Sequence, residues 1–267
     1  MPPIVDALLA AGGMPRATDP LYPLTQGRPK AMLEVAGRPM IQYVLDALSA
    51  ARTIRSVVVV GLMPDAHPAV RALTCALPIT FLPGRGGLVD NLASAGAWAQ
   101  ALPEPPTHLL ATSSDIPLLT GAMVDWNVST SLETDHDAYY NLVRRDVMEA
   151  RFPGVRRSYF RLRDGVFCGA DLNLLSLRVL NSYNPAWRRI IDARKNVFAQ
   201  ARLVGFDVLG LGALGLLPID WAQDRIRERL GVNGRVLICP HAEAGMDVDR
   251  PDHLAVVSRA LSAVGSA

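Results

Sequence analysis

Lysine is almost missing from this chain. Of its 27 basic residues only Lys30 and Lys195 are lysines; the other 25 are arginine. Against that background each lysine raises the question of why a compact ammonium was kept in place of a planar guanidinium. Cysteine is also scarce. Cys75, Cys168 and Cys239 lie far apart and form no CxxC pair, which excludes a disulfide framework and makes a reducing cytoplasm the natural compartment. Net charge is only +2, with 27 basic against 25 acidic residues, so there is no bulk basic field for nucleic acid and no acidic tail. No stretch reaches the ~18 uninterrupted apolar residues of a membrane helix. The longest candidate, Leu203 to Trp221, is interrupted by Asp207, Pro218, Asp220 and several glycines. The opening apolar run lacks a basic leader and contains Asp6, which makes a poor signal peptide.

What is present is apolar. Half of the 267 residues are hydrophobic and 19% are charged, which excludes a disordered or fibrous chain. That length buries a sizeable core in one large α/β domain or in a core carrying an inserted module.

The order of elements is a β-loop-α alternation. Residues 4–11 read as a buried strand running into Gly12-Gly13, and 54–61 (IRSVVVVG) as a β-branched strand buried on both faces. Residues 31–36 suggest a short strand and turn, and 40–52 a helix with Pro39 at its start. A helix is expected over Pro68 to Leu77, a strand over Ile79 to Leu82, and a helix over Leu88 to Ala101. His108 to Thr112 is the next strand, with a helix near Gly121 to Glu133. This pattern predicts a mostly parallel sheet with helices on both faces. The second half changes texture. Strands are expected at Asp137 to Val143, Val166 to Leu175 and Arg235 to Ile238, helix over 176–230 with a break near Gly205 to Gly215, and a closing helix over Pro251 to Ala263. The expected organisation is a single domain over 1–267, with a first half at 1–135 and a second-half subdomain at 136–244.

Four segments that follow predicted strands carry the chemistry, because ligands in open α/β sheets bind at the carboxyl ends of strands. The first is Ala10-Ala11-Gly12-Gly13, then Arg16, then Gly27-Arg28-Pro29-Lys30. Small residues let backbone N–H groups approach a phosphate, and a nearby ammonium adds a compact charge. It is neither a Walker A loop nor GxGxxG, and an ordinary βα turn with a surface lysine explains the spacing equally well. The second is Gly84-Arg85-Gly86-Gly87 leading to Asn91, where glycines before a helix make an anion or base cradle; a plain helix start explains the same residues. The third is Ser113-Ser114-Asp115-Ile116-Pro117. An Asp at a strand's end can bind a metal or cap a helix. The fourth is Asp247-Val248-Asp249-Arg250-Pro251, whose carboxylates can complete a metal site with Asp115 or cap the closing helix. The histidines make no HxxxH or HExxH, which argues against zinc, and there is no GxSxG elbow.

Taken in order, Ala10-Ala11-Gly12-Gly13, Arg28-Pro29-Lys30-Ala31-Met32-Leu33, Gly37-Arg38-Pro39-Met40, Asp115-Ile116-Pro117-Leu118 and Val248-Asp249-Arg250-Pro251-Asp252-His253-Leu254 resemble the motifs of the MobA-like nucleotidyltransferases. The resemblance covers roughly residues 4–120 and 245–261 and implies a GT-A-type, Rossmann-like fold. It implies that the glycine loop wraps an NTP triphosphate, that Lys30 contacts phosphates, and that Gly87 and Asn91 meet base and ribose. Asp115 and Asp249 would hold catalytic Mg2+, with Asp247 in reserve. The chain departs from the family at Gly13-Met14-Pro15-Arg16 and in a longer spacer before Lys30, so that either Arg16 or Arg28 supplies the phosphate arginine. Cys168-Gly169-Ala170-Asp171-Leu172-Asn173 lies where the family carries a Gly-Gly-Asn-type strand near the acceptor, with Asp171 replacing the usual Asn.

The expected activity is transfer of an NMP from an NTP to a phosphorylated small molecule, with release of pyrophosphate. Lys30, Arg16 and Asp115 would be the catalytic set. Arg157, Tyr159, Arg161 and Arg163 alternate as on one face of a strand, which fits either an anionic acceptor or plain solvation. The expected partners are an NTP and an anionic acceptor, with neither nucleic acid nor membrane; the 205–215 stretch fits homodimer contacts and monomeric packing equally. Two other classes compete: a GT-A glycosyltransferase using Asp247-Val248-Asp249 on a nucleotide sugar, and a non-catalytic nucleotide sensor.

Overall fold

A computed structural model describes residues 4–180 and 205–264. In chain order the strands are β1 (Val5–Ala10), β2 (Glu34–Val35), β3 (Arg38–Pro39), β4 (Ile54–Val60), β5 (Ile79–Leu82), β6 (His108–Ser113), β7 (Ala138–Arg144), β8 (Phe160–Leu162), β9 (Gly165–Gly169), β10 (Leu172–Ser176) and β11 (Gly234–Cys239). The helices are α1 (Tyr22–Thr25), α2 (Met40–Ala50), α3 (Leu88–Gln100), α4 (Gly121–Ser131), α5 (Arg145–Arg151), α6 (Leu177–Leu180), α7 (Phe206–Ala213), α8 (Ile219–Leu230) and α9 (Pro251–Val264).

The main sheet runs β5-β4-β1-β6-β10-β7, with β11 on the far side of β7 and β9-β8 continuing beside β7. β1 pairs in parallel with both β4 and β6, and β4 in parallel with β5. β10 is antiparallel to β6 and to β7, β9 is antiparallel to β7 and β8, and β11 is parallel to β7. Following those directions, β10 and β9 alone run against the rest, so the sheet is mostly parallel as the alternation requires. The order β5-β4-β1-β6 turns back at β1, because the chain moves outward through β4 and β5 and returns to the other edge at β6. The carboxyl ends of β1 and β6 therefore flank the switch point, where α/β sheets open a crevice.

The core explains the order. Val57, Val58, Val59 and Val60 of β4 are all fully buried, as a strand covered on both faces requires. One cluster joins β1, α2, α4, β7, β10 and the loop before α9, and a smaller one packs Leu8, Val58, Ala95, Ala99 and Leu109 on the opposite face. Each buried Leu or Val side chain contributes about 1.5–3 kcal/mol by leaving water.

Four expectations are corrected. The helix expected over Pro68 to Leu77 is a 3-10 turn, Pro68–Ala72. The Gln42 amide accepts from Thr74 N and donates to Thr74 O, holding the chain extended beyond it. The break expected near Gly205 to Gly215 is helical over Phe206–Ala213, and the turn falls at Gly215, whose φ is +68°. The single strand expected over Val166 to Leu175 is two, Gly165–Gly169 and Leu172–Ser176, on either side of a bend at Ala170-Asp171. Arg157, Tyr159, Arg161 and Arg163 do not share a strand face: β8 spans only Phe160–Leu162, Arg157 turns inward and Arg161 stays exposed. The helix expected across 181–204, with Lys195, lies outside the described residues. No helix among the described residues is long and apolar enough to cross a membrane.

Candidate active site

The switch point is made from backbone first. Ala11 N donates to Val60 O and Ser114 N to Ala10 O, so the ends of β1, β4 and β6 are tied together. Gly12 then passes against Gly61. A Cβ on Gly61 would sit 2.4 Å from the Gly12 Cα, and Gly61 has φ +93°, so both steric room and backbone conformation demand glycine there. Asn91 lies beside the same face of Gly12, its amide nitrogen 3.8 Å from where a Gly12 Cβ would be. Its Oδ1 accepts from Arg85 N at 2.7 Å and fixes the 84–87 loop beside the first glycine loop. Gly87 is the N-cap of α3. Gly12 and Gly13 are solvent-exposed, and among the described residues their N–H groups donate to no backbone carbonyl. Such free N–H groups next to a helix start form a cradle for an anion.

Lys30 is delivered to this cradle by a 3-10 turn, Lys30–Met32, whose first N–H donates to Gly13 O at 2.9 Å. Its ammonium donates to Asp115 Oδ2 at 2.6 Å and also to Asp249 Oδ1. Ser113 Oγ donates to the other Asp115 oxygen. The residues before α9 are brought here by a backbone bond, Val248 N to Asp115 O at 2.8 Å. Two carboxylates, 85 and 219 positions from Lys30 in sequence, thus meet it at one point. Burial works against the lysine's charge, but Asp115 and Asp249 outweigh it and hold Lys30 protonated above its usual range. Asp249 is pulled well below the usual carboxylate range: burial opposes this, but its contacts with Asp247 and Lys30 prevail. A cavity of about 420 Å³ opens from Gly13 and Lys30 toward Asp19, Asp249 and Arg250.

Beyond Asp249 lies a second cavity of about 660 Å³, lined by Tyr140, Arg156, Arg157, Asp171, Asp247 and His253 among others. Arg157 donates to Asp247, and both side chains are largely buried. The His253 ring bridges Asp247 O at 2.9 Å and Arg156 O at 3.0 Å, so it fixes two backbone segments. Asp171 projects from the bend between β9 and β10. Burial, then the negative charges of Asp115 and Asp247, push its carboxyl up to about 7.

The expected site residues divide accordingly. The structure joins Lys30, Asp115 and Asp249 directly, and sets Ala10, Ala11, Gly12, Gly13 and Asn91 around them. Asp247 lies on the second cavity, paired with Arg157. Arg16 and Arg28 are exposed, and neither is bonded to the Lys30 cluster: Arg16 N donates to Asp19, and Arg28 Nε to Thr25 O at 3.2 Å. His253 carried no signal in the sequence beyond a lone histidine in the closing motif. Arg157 was one of several arginines with equal claim.

The chain is similar to known proteins over most of its length. The MobA-like NTP transferase domain matches residues 7–160. The chain belongs to that family. Among curated proteins, the bifunctional protein GlmU of Heliobacterium modesticaldum is 28% identical over 242 residues, which cover 81% of this chain and 48% of that protein; the chain therefore spans about half of that relative's length. A hypothetical transferase from Thermus thermophilus is 35% identical, covers 94% of this chain and 99% of its own, and superposes with a TM-score of 0.78. At 10% identity, the 4-diphosphocytidyl-2C-methyl-D-erythritol synthase of Anaerococcus prevotii shares the fold, with a TM-score of 0.61 over 97% of this chain and 96% of that one. So does a CMP:2-keto-3-deoxy-manno-octonic acid synthetase complexed with CTP, at 15% identity and a TM-score of 0.62 over 98% and 99% of the two chains. As a MobA-like NTP transferase, the chain is an enzyme of the nucleotidyltransferase class, with the Rossmann-like α/β architecture of those structures.

Proposed function

We propose that this MobA-like NTP transferase is a Mg2+-dependent, cytoplasmic enzyme that joins an NMP to a phosphorylated small-molecule acceptor, such as a sugar phosphate, a polyol phosphate or a cofactor precursor. The observation that carries this reading is the meeting of Lys30, Asp115 and Asp249 beside the free N–H groups of Gly12 and Gly13. Residues 1–135 would serve the NTP and 136–244 the acceptor.

The donor set fits magnesium. Asp115 and Asp249 offer carboxylate oxygens within reach of one ammonium, and Mg2+ takes one or two carboxylates with phosphate and water oxygens completing its shell. Among the described residues no group of three or more His, Cys, Asp or Glu could hold a metal, so a protein-only cage is not on offer. Bound there, Mg2+ would neutralise charge on the transferring phosphate.

The chain's own residues do the rest. Backbone N–H groups of Gly12 and Gly13 receive the β- and γ-phosphates. Lys30, held charged, stands where the α-phosphate and the leaving pyrophosphate gain negative charge. Arg16 or Arg28 reaches the outer phosphates from its exposed position. Asn91, Gly87 and the 84–87 loop border the nucleoside. An oxygen of the acceptor, in the second cavity, attacks the α-phosphorus in line and pyrophosphate departs. Positioning and charge stabilisation dominate, as in phosphoryl transfer generally.

The test is pyrophosphate release with each of the four NTPs and Mg2+ against a pooled panel of phosphorylated sugars, polyols and cofactor precursors. Release that needs one NTP and one acceptor, and that vanishes in Asp115→Ala, is the expected result. NTP binding without release would favour the sensor reading, and no binding at all would sink the proposal.

A further inference from the structure

The bend that carries Asp171 is fixed from every side. Asp171 N donates to Ala244 O at 2.9 Å, and Thr112 Oγ1 donates to Asp171 O at 2.8 Å. The next carbonyl, Leu172 O, accepts from Asn141 Nδ2 at 2.7 Å and from Asn127 Nδ2 at 3.3 Å. Asn173 bonds Asn141 N at 2.9 Å and Ala170 O at 3.0 Å. So much side-chain bonding on four residues leaves one group unused: no hydrogen bond or salt bridge reaches the Asp171 carboxylate among the described residues.

Its place in the sheet is at the reaction centre. Leu172 pairs with Thr112 as the last pair of the antiparallel β10-β6 register, so Asp171 leaves the sheet beside the end of β6, next to Ser113, the residue that holds Asp115. Most other charges lining the same cavity are already paired. Arg157 is on Asp247, Arg250 on Asp252, and Asp249 on Lys30. What remains is one carboxylate on the inner side, Asp171, and one guanidinium on the exposed rim, Arg156.

We infer that the acceptor attacks through a hydroxyl group held by the Asp171 carboxylate, with an anionic group elsewhere on the acceptor resting on Arg156. This rests on the nucleotidyl-transfer reading and adds to it the attacking atom. The hydroxyl O–H breaks and its proton passes to Asp171. The freed oxygen forms a bond to the α-phosphorus. The bond from α-phosphorus to the bridging oxygen breaks, and its electron pair leaves on pyrophosphate. The product is a phosphodiester between acceptor and nucleoside.

Two arguments favour a hydroxyl over a phosphate nucleophile. A phosphate carries no proton that must be removed at neutral pH, and it would meet the unpaired Asp171 as a like charge. A hydroxyl arrives neutral and needs an acceptor for its proton, which a carboxylate without a partner supplies. Asn at this position could receive the hydrogen bond but could not take the proton.

The experiment uses the wild-type enzyme, Mg2+, the four NTPs and acceptors that carry both a phosphate and free hydroxyls, such as glycerol 3-phosphate and glucose 1-phosphate. Both routes are then open in one molecule, and phosphorus NMR of the product tells them apart. A single uncoupled phosphodiester resonance, alongside the acceptor's own phosphate, is expected. Two mutually coupled diphosphate resonances would overturn the inference and leave nucleotidyl transfer standing. Absence of pyrophosphate release with every pairing would remove both. Asp171→Asn, which breaks no bond in the fold, should lower kcat about 10²-fold or more with KM for the NTP unchanged. Arg156→Ala should raise the acceptor KM roughly tenfold at constant kcat. An Asp171→Asn enzyme with wild-type kcat would also overturn it.

Discussion

On the β5-β4-β1-β6 side, the cleft presents backbone N–H groups, two glycine loops and one lysine. On the β10-β9-β7 side, the cavity is lined by side chains tied within the protein: Arg157 to Asp247, His253 to two backbone carbonyls and Asn173 to the backbone of the bend and of β7. In the proposed function the first side meets what every NTP has in common, and backbone geometry is enough for that. The second, proposed to hold the acceptor, would have to tell one small molecule from another, and its residues take their positions from long-range packing. Substitutions on the two sides should therefore fail in different ways.

The largest effect is expected where the sides meet. Asp115→Ala removes the carboxylate that joins Lys30 and Ser113, and pyrophosphate release should fall by about 10³-fold. On the nucleotide side the backbone itself is the vulnerable element. Gly61→Val puts a branched side chain at φ +93° against Gly12, and denaturant unfolding should show a loss of about 3 kcal/mol, with NTP binding lost as the loop shifts. On the acceptor side, Arg157→Ala leaves the largely buried Asp247 without its partner. A smaller loss of about 2 kcal/mol is expected, with acceptor KM raised and NTP KM kept. The smallest effects belong to Arg16→Ala and Arg28→Ala, each within about 0.5 kcal/mol of wild-type stability because both side chains are exposed. Only one of the two should raise the NTP KM, and that one is the phosphate arginine.

The same contrast decided what could be read from the sequence. Gly12-Gly13 and Asp115 directly follow β1 and β6, and Lys30 stands in the next motif in order, so strand pattern and motif order place them together. The closing motif at 248–254 was legible as a motif, although the bond from Val248 N to Asp115 O that docks it was not. On the acceptor side, Arg157 sits in a stretch that looks like an alternating strand and is irregular, because α5 takes up the residues before it and β8 is short. Nothing local distinguishes Arg157 from Arg156, Arg161 or Arg163; a partner 90 residues away does. The 3-10 turn at Pro68–Ala72 was hidden for the same reason, since the Gln42 side chain that replaces the expected helix bonds comes from α2.

The most direct test of the account is the binding of NTP, with Mg2+ and no acceptor, to the wild type and to Lys30→Ala, measured by titration calorimetry on proteins shown to be folded. If the Lys30 ammonium is the charge that the triphosphate meets at the end of β1, the wild type should bind one nucleotide, and the variant should bind it about 100-fold more weakly. Equal affinity in the two proteins would contradict the placement of the NTP at this cleft.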